Sequence, residues 1–235
     1  MSETILTFKD VKKEFTTGTV TEKVLKGVDF SVDKGEFVII VGTSGAGKST
    51  VLNLLGGLDK PTSGQIIVAG DDISKYSEKQ LTAYRANRIG FVFQFYNLIP
   101  NLNVVENVVF GCEVKKDVMP PDVILKKVNM GDKMKSFPTT LSGGEQKRVA
   151  IARAISKKPD ILICDEPTGA LDYQTSKQVL ECIEELNRDM NMTIVLVTHN
   201  DAICPMADKV IRMHNGRVKD VILNKNKTSV KDLEW

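Results

Sequence analysis

Short apolar runs separated by polar turn residues dominate the first part of the chain. Three such runs lie at residues 5–8, 28–32 and 37–41, and Asp33, Lys34 and Gly35 separate the last two. Apolar runs of this length, bounded by turn residues, predict β-strands. Because short polar segments join them, we expect the strands of about the first thirty residues to pair antiparallel.

The pattern changes after a glycine-rich loop that follows the third run. Residues 48–55 have the spacing of a helix. Further strands are predicted at residues 65–68, 89–93, 161–164, 193–197 and 209–213. Asn215-Gly216 predicts a two-residue hairpin turn into a last strand at 218–223. The polar tail at 224–235 is predicted to be loosely ordered.

Strand signals stop between Gln94 and Ala154. Helical patterns replace them at residues 104–110, 122–128 and 142–156. A chain of 235 residues fits one domain. We therefore expect a single domain over residues 1–235, in which 94–154 form an inserted helical subdomain and 1–93 together with 155–235 form the rest.

The composition fits a globular domain. Apolar residues make up 42% and charged residues 26%, and the net charge of +2 gives no indication of a nucleic-acid partner. Lysines gather between 115 and 135 but acids are interleaved among them, which favours a solvated helical face. The four cysteines lack metal-site spacing and predict free thiols. We find neither a secretory signal nor an apolar run long enough to span a bilayer, so a membrane role requires a partner.

The glycine-rich loop matches a phosphate-binding pattern. It reads GTSGAGKS, which is G-x-x-x-x-G-K-[ST] between a predicted strand and a predicted helix, a placement that disfavours an accidental turn. Backbone N–H groups of such a loop face phosphate oxygens, the lysine reaches the β- and γ-phosphates, and the last hydroxyl binds Mg²⁺. The predicted nucleotide-binding residues are Gly42, Thr43, Ser44, Gly45, Ala46, Gly47, Lys48, Ser49 and Thr50.

Two acids follow the apolar run at 161–164. A buried parallel strand would present Asp165 and Glu166 at its C-terminal edge, where open α/β sheets bind their ligands. Asp165 is suited to hold Mg²⁺, and Glu166 to orient and deprotonate an attacking water. Alone, such a pair is more often a strand end that faces solvent. The phosphate-binding loop upstream favours the catalytic interpretation.

A third motif decides between families of nucleotide-binding proteins. Residues 141–148 read LSGGEQKR, and this sequence resembles the signature motif of the ABC ATPases. Ser142 supplies a hydroxyl, Gly143 and Gly144 allow close backbone approach, and the following helix offers its N-terminal dipole to a phosphate. A plain helix cap by Ser142 with Glu145 three residues later is equally sound chemistry, and both roles can hold together.

The resemblance covers most of the chain and implies a fold, cofactors and partners. It implies an α/β fold with a P-loop (RecA-like) ATPase core, an antiparallel β subdomain and the helical subdomain. ATP and Mg²⁺ would bind between two copies of the chain, with the signature of one copy completing the site of the other. A separate transmembrane permease would hold the homodimer at the cytoplasmic face of the cell membrane, and no nucleic acid would be involved.

Further site residues are implied by the resemblance alone. Gln94 matches the Q-loop glutamine near Mg²⁺ and the water, Asp172 matches the loop that touches the opposite subunit, and His199 matches the histidine that contacts the γ-phosphate. Phe15 matches the aromatic residue that stacks on adenine, although a core phenylalanine at a strand end is an alternative. The implied catalytic residues are therefore Lys48, Gln94, Glu166 and His199, and the implied metal ligands are Ser49, Gln94 and Asp165.

The sequence departs from the family pattern in two places. Thr43 stands where proline is usual and Ala46 where serine is common, but neither position must supply a side chain. The helical subdomain is shorter than usual, which bears on the choice of permease. Residues 91–100 and 165–172 are most similar to the branch that includes lipoprotein-release, macrolide-export and antimicrobial-peptide-resistance ATPases, and the cell-division ATPase of that branch is also similar.

Several functions remain open at this point. The leading one is a transporter motor that acts on a peptide, lipoprotein or drug, and a nucleotide-dependent regulator or scaffold of a membrane complex is the alternative. Soluble ABC ATPases that act on ribosomes usually carry two cassettes, and the single set of motifs here disfavours them. Those of DNA repair carry long coiled-coil insertions, for which a chain of 235 residues is too short. A P-loop GTPase or small-molecule kinase is disfavoured because no N-K-x-D guanine-binding motif is found and LSGG has no role in either class.

Overall fold

A computed structural model of the chain describes residues 3–112, 115 and 117–234. The described residues form ten strands and six α-helices, joined by turns and short 3-10 helices. The strands are β1 (Thr4–Thr17), β2 (Val20–Asp33), β3 (Phe37–Val41), β4 (Ser63–Val68), β5 (Asp71–Asp72), β6 (Ile89–Val92), β7 (Ile161–Asp165), β8 (Thr193–Thr198), β9 (Lys209–His214) and β10 (Arg217–Leu223). The helices are α1 (Lys48–Leu55), α2 (Glu78–Arg88), α3 (Val104–Phe110), α4 (Pro121–Lys127), α5 (Gly143–Ile155) and α6 (Tyr173–Met190).

The first two strands pair antiparallel, as the sequence predicts, and they belong to a four-stranded antiparallel sheet in the order β2-β1-β4-β5. β1 and β2 are each 14 residues long, far longer than the predicted runs, because their outer ends are polar and exposed. Apolar patterning predicts only the buried part of a strand. On the buried face the rings of Phe8 and Phe30 stack with centroids 4.6 Å apart.

The second sheet has six strands in the order β10-β9-β3-β8-β7-β6. All neighbouring pairs are parallel except β9 and β10, which Asn215 and Gly216 join in the predicted hairpin with φ of 47° and 75°. Every residue of β3 and β8 is buried, since α1 and the antiparallel sheet pack on one face and α5 and α6 pack on the other. Parallel strands end at one edge of the sheet, so the segments after β3, β6, β7 and β8 meet there.

Helices α3, α4 and α5 confirm the predicted helical patterns between residues 94 and 154. α2 and α6 were not predicted. α2 is mostly polar and buries only Leu81 and Tyr84, so its pattern is weak. α6 carries a clear signal, because its buried residues recur at helical spacing at Val179, Leu180, Ile183, Leu186 and Asn187.

The prediction of a loosely ordered tail is wrong. Residues 230–232 form a 3-10 turn, and Val230 and Leu233 are 0% and 5% exposed within the main hydrophobic core. Glu184 of α6 accepts a hydrogen bond from the Val230 backbone N–H at 3.2 Å. The burial of Val230 and Leu233, together with hydrogen bonds such as this one, fastens the tail to α6.

The predictions about lysines and cysteines have mixed outcomes. All four cysteines are free and buried. Lys133 forms an ion pair with Glu145 rather than only facing solvent, and Lys115 donates hydrogen bonds to backbone carbonyls at 3.2 Å. Lys116, from the same lysine group, lies outside the described residues. Among the described residues, no helix has both the length and the apolar character needed to cross a membrane.

Candidate active site

The predicted phosphate-binding loop connects β3 to α1. Gly45 and Gly47 have φ of 77° and 98°, a region that side chains with a Cβ rarely adopt, so glycine at these positions allows the chain to wrap into α1. Lys48 is 8% exposed, and its ammonium donates to the carbonyl oxygens of Gly42 at 2.7 Å and Thr43 at 3.0 Å. The loop therefore curls around the lysine amine.

Ala46 of this loop faces the protein interior. It is 2% exposed, and its N–H donates to the carbonyl of Thr43 while its carbonyl accepts from Gly216. Its side chain packs in the core around β3. The small side chain at this position is thus explained by packing.

The acids after β7 lie at the same edge of the sheet. β7 is buried between β6 and β8, and Asp165 pairs with Val197 at its end. Burial, together with the neighbouring charge of Glu166, raises the pKa of the Asp165 carboxyl above its usual value. An opposing positive charge would favour the ionised form of this carboxyl.

Glu166 is held in a strained backbone conformation next to His199. Its φ is 44°, uncommon for a residue with a Cβ. Its carboxylate contacts Nδ1 of His199 at 2.9 Å and accepts from the hydroxyl of Thr198 at 3.3 Å. The side chain of His199 is 74% exposed, whereas that of Glu166 is 16% exposed. The pair therefore offers an oriented carboxylate with a solvent-accessible partner.

These elements enclose an open cavity of about 390 Å³. Most predicted site residues line it together: Ser44, Gly45, Gly47, Lys48, Ser49, Thr50, Gln94, Asp165, Glu166 and His199. Sequence reasoning missed Glu22, Val24 and Val197, which complete the lining. Glu22 and Val24 belong to β2, and no local pattern points to them, because only the fold of the long hairpin brings this strand to the loop.

Two predicted loop residues that do not line this cavity line a neighbouring one, as Ser44 also does. Gly42 and Thr43 contribute to a space of about 440 Å³, into which His199 also faces, together with Asp201, Arg212 and His214. His199 thus lies between the two cavities. Both histidines of the chain, His199 and His214, border this second space.

Phe15 lies beside the cavity rather than among its lining residues. It is 44% exposed, which disfavours the alternative of a core phenylalanine. Its strand partner across the hairpin is Glu22, which does line the cavity. The ammonium of Lys13 lies 4.8 Å from the centroid of its ring. An accessible ring next to the cavity is compatible with stacking on a base.

The signature residues lie outside this cavity. Ser142 caps α5: Glu145 N–H donates to its hydroxyl at 3.3 Å, and its own N–H donates to the Glu145 carboxylate at 2.9 Å. The other oxygen of Glu145 accepts from Lys133, and this contact together with the cap lowers the pKa of the Glu145 carboxyl. The predicted capping box is therefore confirmed. Ser142, Gly143, Gly144 and Glu145 are all described, and none of them lines the nucleotide cavity of its own chain.

A buried lysine of α5 contacts the backbone at Gln94. Lys147 is 0% exposed, and its ammonium donates to the carbonyl oxygens of Phe93 and Gln94. Burial lowers the pKa of Lys147 to about 8. Asp172 serves a different purpose, because it caps α6 by accepting from the N–H and hydroxyl of Thr175 at 3.0 and 2.6 Å. It does not line the nucleotide cavity.

The cavity offers ligands that suit Mg²⁺. The hydroxyl of Ser49, the carboxylate of Asp165 and the amide of Gln94 all face it, and Mg²⁺ prefers oxygen ligands and keeps few protein groups beside substrate phosphates. No cluster of three or more His, Cys, Asp or Glu suited to a metal exists among the described residues. With Asp165 as its carboxylate ligand, a Mg²⁺ site here would be completed by phosphate oxygens and water.

Comparisons with known proteins agree with this geometry. The family model described as ABC transporter matches residues 25–169. A putative ABC transporter ATP-binding protein of Mycoplasma pneumoniae is 40% identical over 236 residues, which are 99% of this chain and 51% of that protein. The lipoprotein-releasing system ATP-binding protein LolD of Legionella pneumophila is 42% identical over 221 residues, which are 92% of this chain and 97% of that protein. The chain thus spans about half the length of the Mycoplasma relative and nearly all of the Legionella one.

A solved structure is similar over nearly the whole chain. It is a dimeric ATP-binding cassette in a post-hydrolysis state bound to ADP and Pi, with 34% identity and a TM-score of 0.83, and the match covers 94% of this chain and all of the other. This similarity confirms the α/β P-loop fold expected from the sequence. Since the family model matches more than half of the chain and relatives above 30% identity match nearly all of it, the chain belongs to the ABC transporter ATP-binding proteins, a family of ATPases.

Proposed function

We propose that the chain hydrolyses ATP as a homodimer, with each ATP bound between the P-loop of one copy and the signature of the other. One observation carries this proposal: the cavity that gathers Lys48, Asp165 and Glu166 contains no signature residue of its own chain. Ser142 is instead exposed at the start of α5. A second copy of the chain can supply the missing phosphate-binding N-terminus of a helix.

Each residue of the cavity then has a defined role. Lys48 leaves the carbonyls of Gly42 and Thr43 and binds the β- and γ-phosphates. Ser49, Asp165 and Gln94 hold Mg²⁺, which neutralises phosphate charge when it is bound. Glu166 accepts a proton from the attacking water, and His199, which already contacts it at 2.9 Å, approaches the γ-phosphate.

Two further residues contact the nucleotide or the second copy. Phe15 stacks on adenine with its accessible ring. Asp172, exposed at the start of α6, approaches the opposite subunit.

We further propose that ATP-driven closure of the dimer moves a separate transmembrane permease. Residues 94–154 act as the helical subdomain that meets it, and residues 1–93 with 155–235 act as the catalytic core. The exposed rings of Phe95 and Phe110, which are 73% and 53% exposed, give this subdomain an apolar surface. The dimer would then lie at the cytoplasmic face of the membrane. Similarity to a lipoprotein-releasing ATPase supports a permease that exports or removes a peptide, lipoprotein or drug.

Mixing two inactive variants tests the composite site. In a heterodimer of Ser142→Arg and Lys48→Ala chains, one site carries both substitutions and the other carries neither, because each site takes its two motifs from different chains. Each homodimer has two damaged sites. We expect the mixture to recover ATPase activity that neither variant has alone. Subunit exchange is verified separately with differently tagged chains.

The outcome distinguishes this proposal from a site contained in one chain. If exchange is verified and no activity returns, while an independently trapped ATP-bound homodimer is also absent, the composite site is wrong. To separate a transporter motor from a regulator, ATPase activity and substrate movement are measured with the purified permease. Nucleotide-dependent signalling without substrate movement would support the regulator.

A further inference from the structure

The buried lysine of α5 holds both peptide groups that flank Gln94. The carbonyl of Phe93 belongs to the peptide group before the Gln94 Cα, and the carbonyl of Gln94 to the one after it. The ammonium of Lys147 donates to these oxygens at 2.9 and 2.7 Å. Fixing both peptide planes fixes the φ and ψ of Gln94, and hence the direction in which its side chain leaves the backbone.

The same helix fastens the residues that follow. Arg153 donates to the carbonyls of Tyr96 at 3.2 Å and Asn97 at 2.7 Å. The ammonium of Lys147 lies 5.1 Å from the centroid of the Tyr96 ring, a cation–π distance. A Cβ at Gly143 would lie 2.6 Å from the Tyr96 hydroxyl, so the ring packs tightly against the signature. The segment 93–97 is therefore attached to α5 along its length.

A fully buried ammonium is costly unless hydrogen bonds satisfy it. Lys147 is 0% exposed and meets this cost with two backbone carbonyls and an aromatic face. Charge-assisted hydrogen bonds are stronger than neutral ones, and one ammonium can serve both carbonyls at once. A packing role alone would be met by an apolar side chain at lower cost.

We propose that Lys147 is a positioning residue that holds Gln94 in the nucleotide cavity of its own chain. Through it, the helix that presents its signature to the partner's ATP also sets the glutamine that serves the ATP of its own chain. This inference rests on the proposed composite site. It adds that the two sites of the dimer are connected within each chain by the contact of Lys147 with residues 93 and 94.

Substitutions at position 147 test the hydrogen bonds. Lys147→Met keeps an unbranched side chain of similar length and removes the donors, whereas Lys147→Gln keeps two N–H donors. We expect Lys147→Met to lower kcat by about tenfold to a hundredfold, the range that a small misplacement of a catalytic group produces, with little change in the KM for ATP. Lys147→Gln should recover most of the loss. If Lys147→Met does not fold, Lys147→Asn replaces it, because its amide is one methylene shorter than that of Gln and does not reach both carbonyls.

Lys157 provides a matched control. It is a partly buried lysine two residues beyond α5, and its ammonium donates to the carbonyl of Arg85 at 2.7 Å rather than to residues 93–97. Lys157→Met should therefore change stability without lowering kcat. Equal losses of kcat in both variants would assign the effect to general destabilisation and overturn the proposal, as would an unchanged kcat in Lys147→Met.

Mixed dimers then assign the effect to one of the two sites. In a heterodimer of Lys147→Met and Ser142→Arg chains, one site combines the intact Gln94 segment of the Ser142→Arg chain with the intact signature of the Lys147→Met chain. Activity should therefore return. With Lys48→Ala, the only site with an intact P-loop carries the misplaced Gln94, so activity should stay low. The opposite result would assign Lys147 to the signature and overturn the proposal. Failure of the Ser142→Arg and Lys48→Ala pair itself would count against the composite site instead.

Discussion

At the scale of single residues, the site combines a cation whose hydrogen bonds can be exchanged, Lys48, with a carboxylate fixed by its surroundings, Glu166. The Lys48 ammonium donates hydrogen bonds to carbonyls of its own loop, which phosphate oxygens can replace as acceptors. Glu166 is fixed by a positive φ and by contacts with Thr198 and His199. Strained backbone at functional positions is maintained by the surrounding structure. The two residues should therefore respond differently to substitution.

We expect Glu166→Gln to lower the rate of ATP hydrolysis by about a hundredfold to ten-thousandfold, the usual contribution of a general base. ATP affinity should be nearly unchanged, because the proposed role of the carboxylate is to accept a proton from water rather than to bind phosphate. Lys48→Ala is the contrasting variant and should weaken ATP binding itself, since a charged hydrogen-bond donor is lost. Steady-state ATPase rates and equilibrium titration with a fluorescent ATP analogue measure both effects. Near-wild-type hydrolysis by Glu166→Gln would remove this residue from the role of base.

At the scale of elements, α5 combines three tasks. Its first residue follows the Ser142 cap, its middle holds the Gln94 segment through Lys147, and its apolar face, with Val149 and Ile151, packs in the main core. Capping and phosphate binding both use Ser142, so a simple deletion of its side chain would confound them. Because asparagine is as good a helix cap as serine, the two tasks can be separated.

Ser142→Ala should lower the free energy of unfolding by about 1 kcal/mol, the usual cost of losing a helix cap. Ser142→Asn should keep that stability, because its side-chain oxygen can accept from the Glu145 N–H. Both variants should lose ATPase activity if the serine hydroxyl contacts the partner's phosphate. Denaturant unfolding and ATPase assays on the same preparations measure the two effects. Full activity in Ser142→Asn would reduce the residue to a cap.

Lys157, two residues beyond the C-terminal end of α5, makes a pH-dependent contribution to stability. Burial, and to a lesser extent the nearby Lys115, lowers the pKa of Lys157 to about 8 from its usual 10.5. Between these pH values the unfolded chain binds more protons than the folded chain, so stability rises with pH. Below about pH 8 the lysine is charged in both states, and its full burial cost is present.

We therefore expect the Tm of the wild-type protein to rise relative to that of Lys157→Met between pH 7.5 and 9.5. The relative rise should be at most about 3–5 °C per pH unit, the slope that one proton allows for a chain of this size. Lys147 is present in both proteins, so its own titration cancels in the comparison. Calorimetry at several pH values measures the difference. A constant difference across this range would contradict a depressed pKa for Lys157.

At the scale of the whole molecule, the P-loop cavity and the signature occupy separate surfaces. The cavity is bordered by β2, α1 and the ends of β7 and β8, whereas Ser142 begins α5 and does not line the cavity. ATP bound in the cavity would therefore leave its γ-phosphate open to a second copy. Dimerisation should depend on nucleotide and should persist when hydrolysis is blocked.

We expect Glu166→Gln with ATP and Mg²⁺ to form dimers at micromolar concentration, and to remain monomeric with ADP. Because ATP would contact both chains in the closed dimer, its binding should stabilise the dimer over the monomers by mass action. Sedimentation velocity or light scattering distinguishes the two states. Glu166→Gln with Ser142→Arg is the control and should not dimerise with ATP. A Glu166→Gln protein that stays monomeric with ATP would rule out the composite site.

The sequence alone was sufficient for the chemistry that lies within short segments. The P-loop between β3 and α1, the acids that end β7 and the capped start of α5 were all predicted at their observed places. Their geometry follows from residues close in sequence: glycines allow the loop, an apolar strand presents the acids, and Ser142 with Glu145 starts a helix. The helical patterns of the 94–154 segment were predicted for the same reason.

Tertiary structure decided what depends on residues distant in the chain. Glu22 and Val24 reach the cavity because the 14-residue strand β2 extends to it. Lys147 reaches the backbone carbonyl of Gln94 across 53 residues, and Leu233 is buried in the main core. None of these contacts has a local pattern, because a charged or apolar residue looks the same in sequence whether it faces solvent or a distant backbone. Strand register and helix packing, which form only when the whole chain folds, select the partner of each side chain.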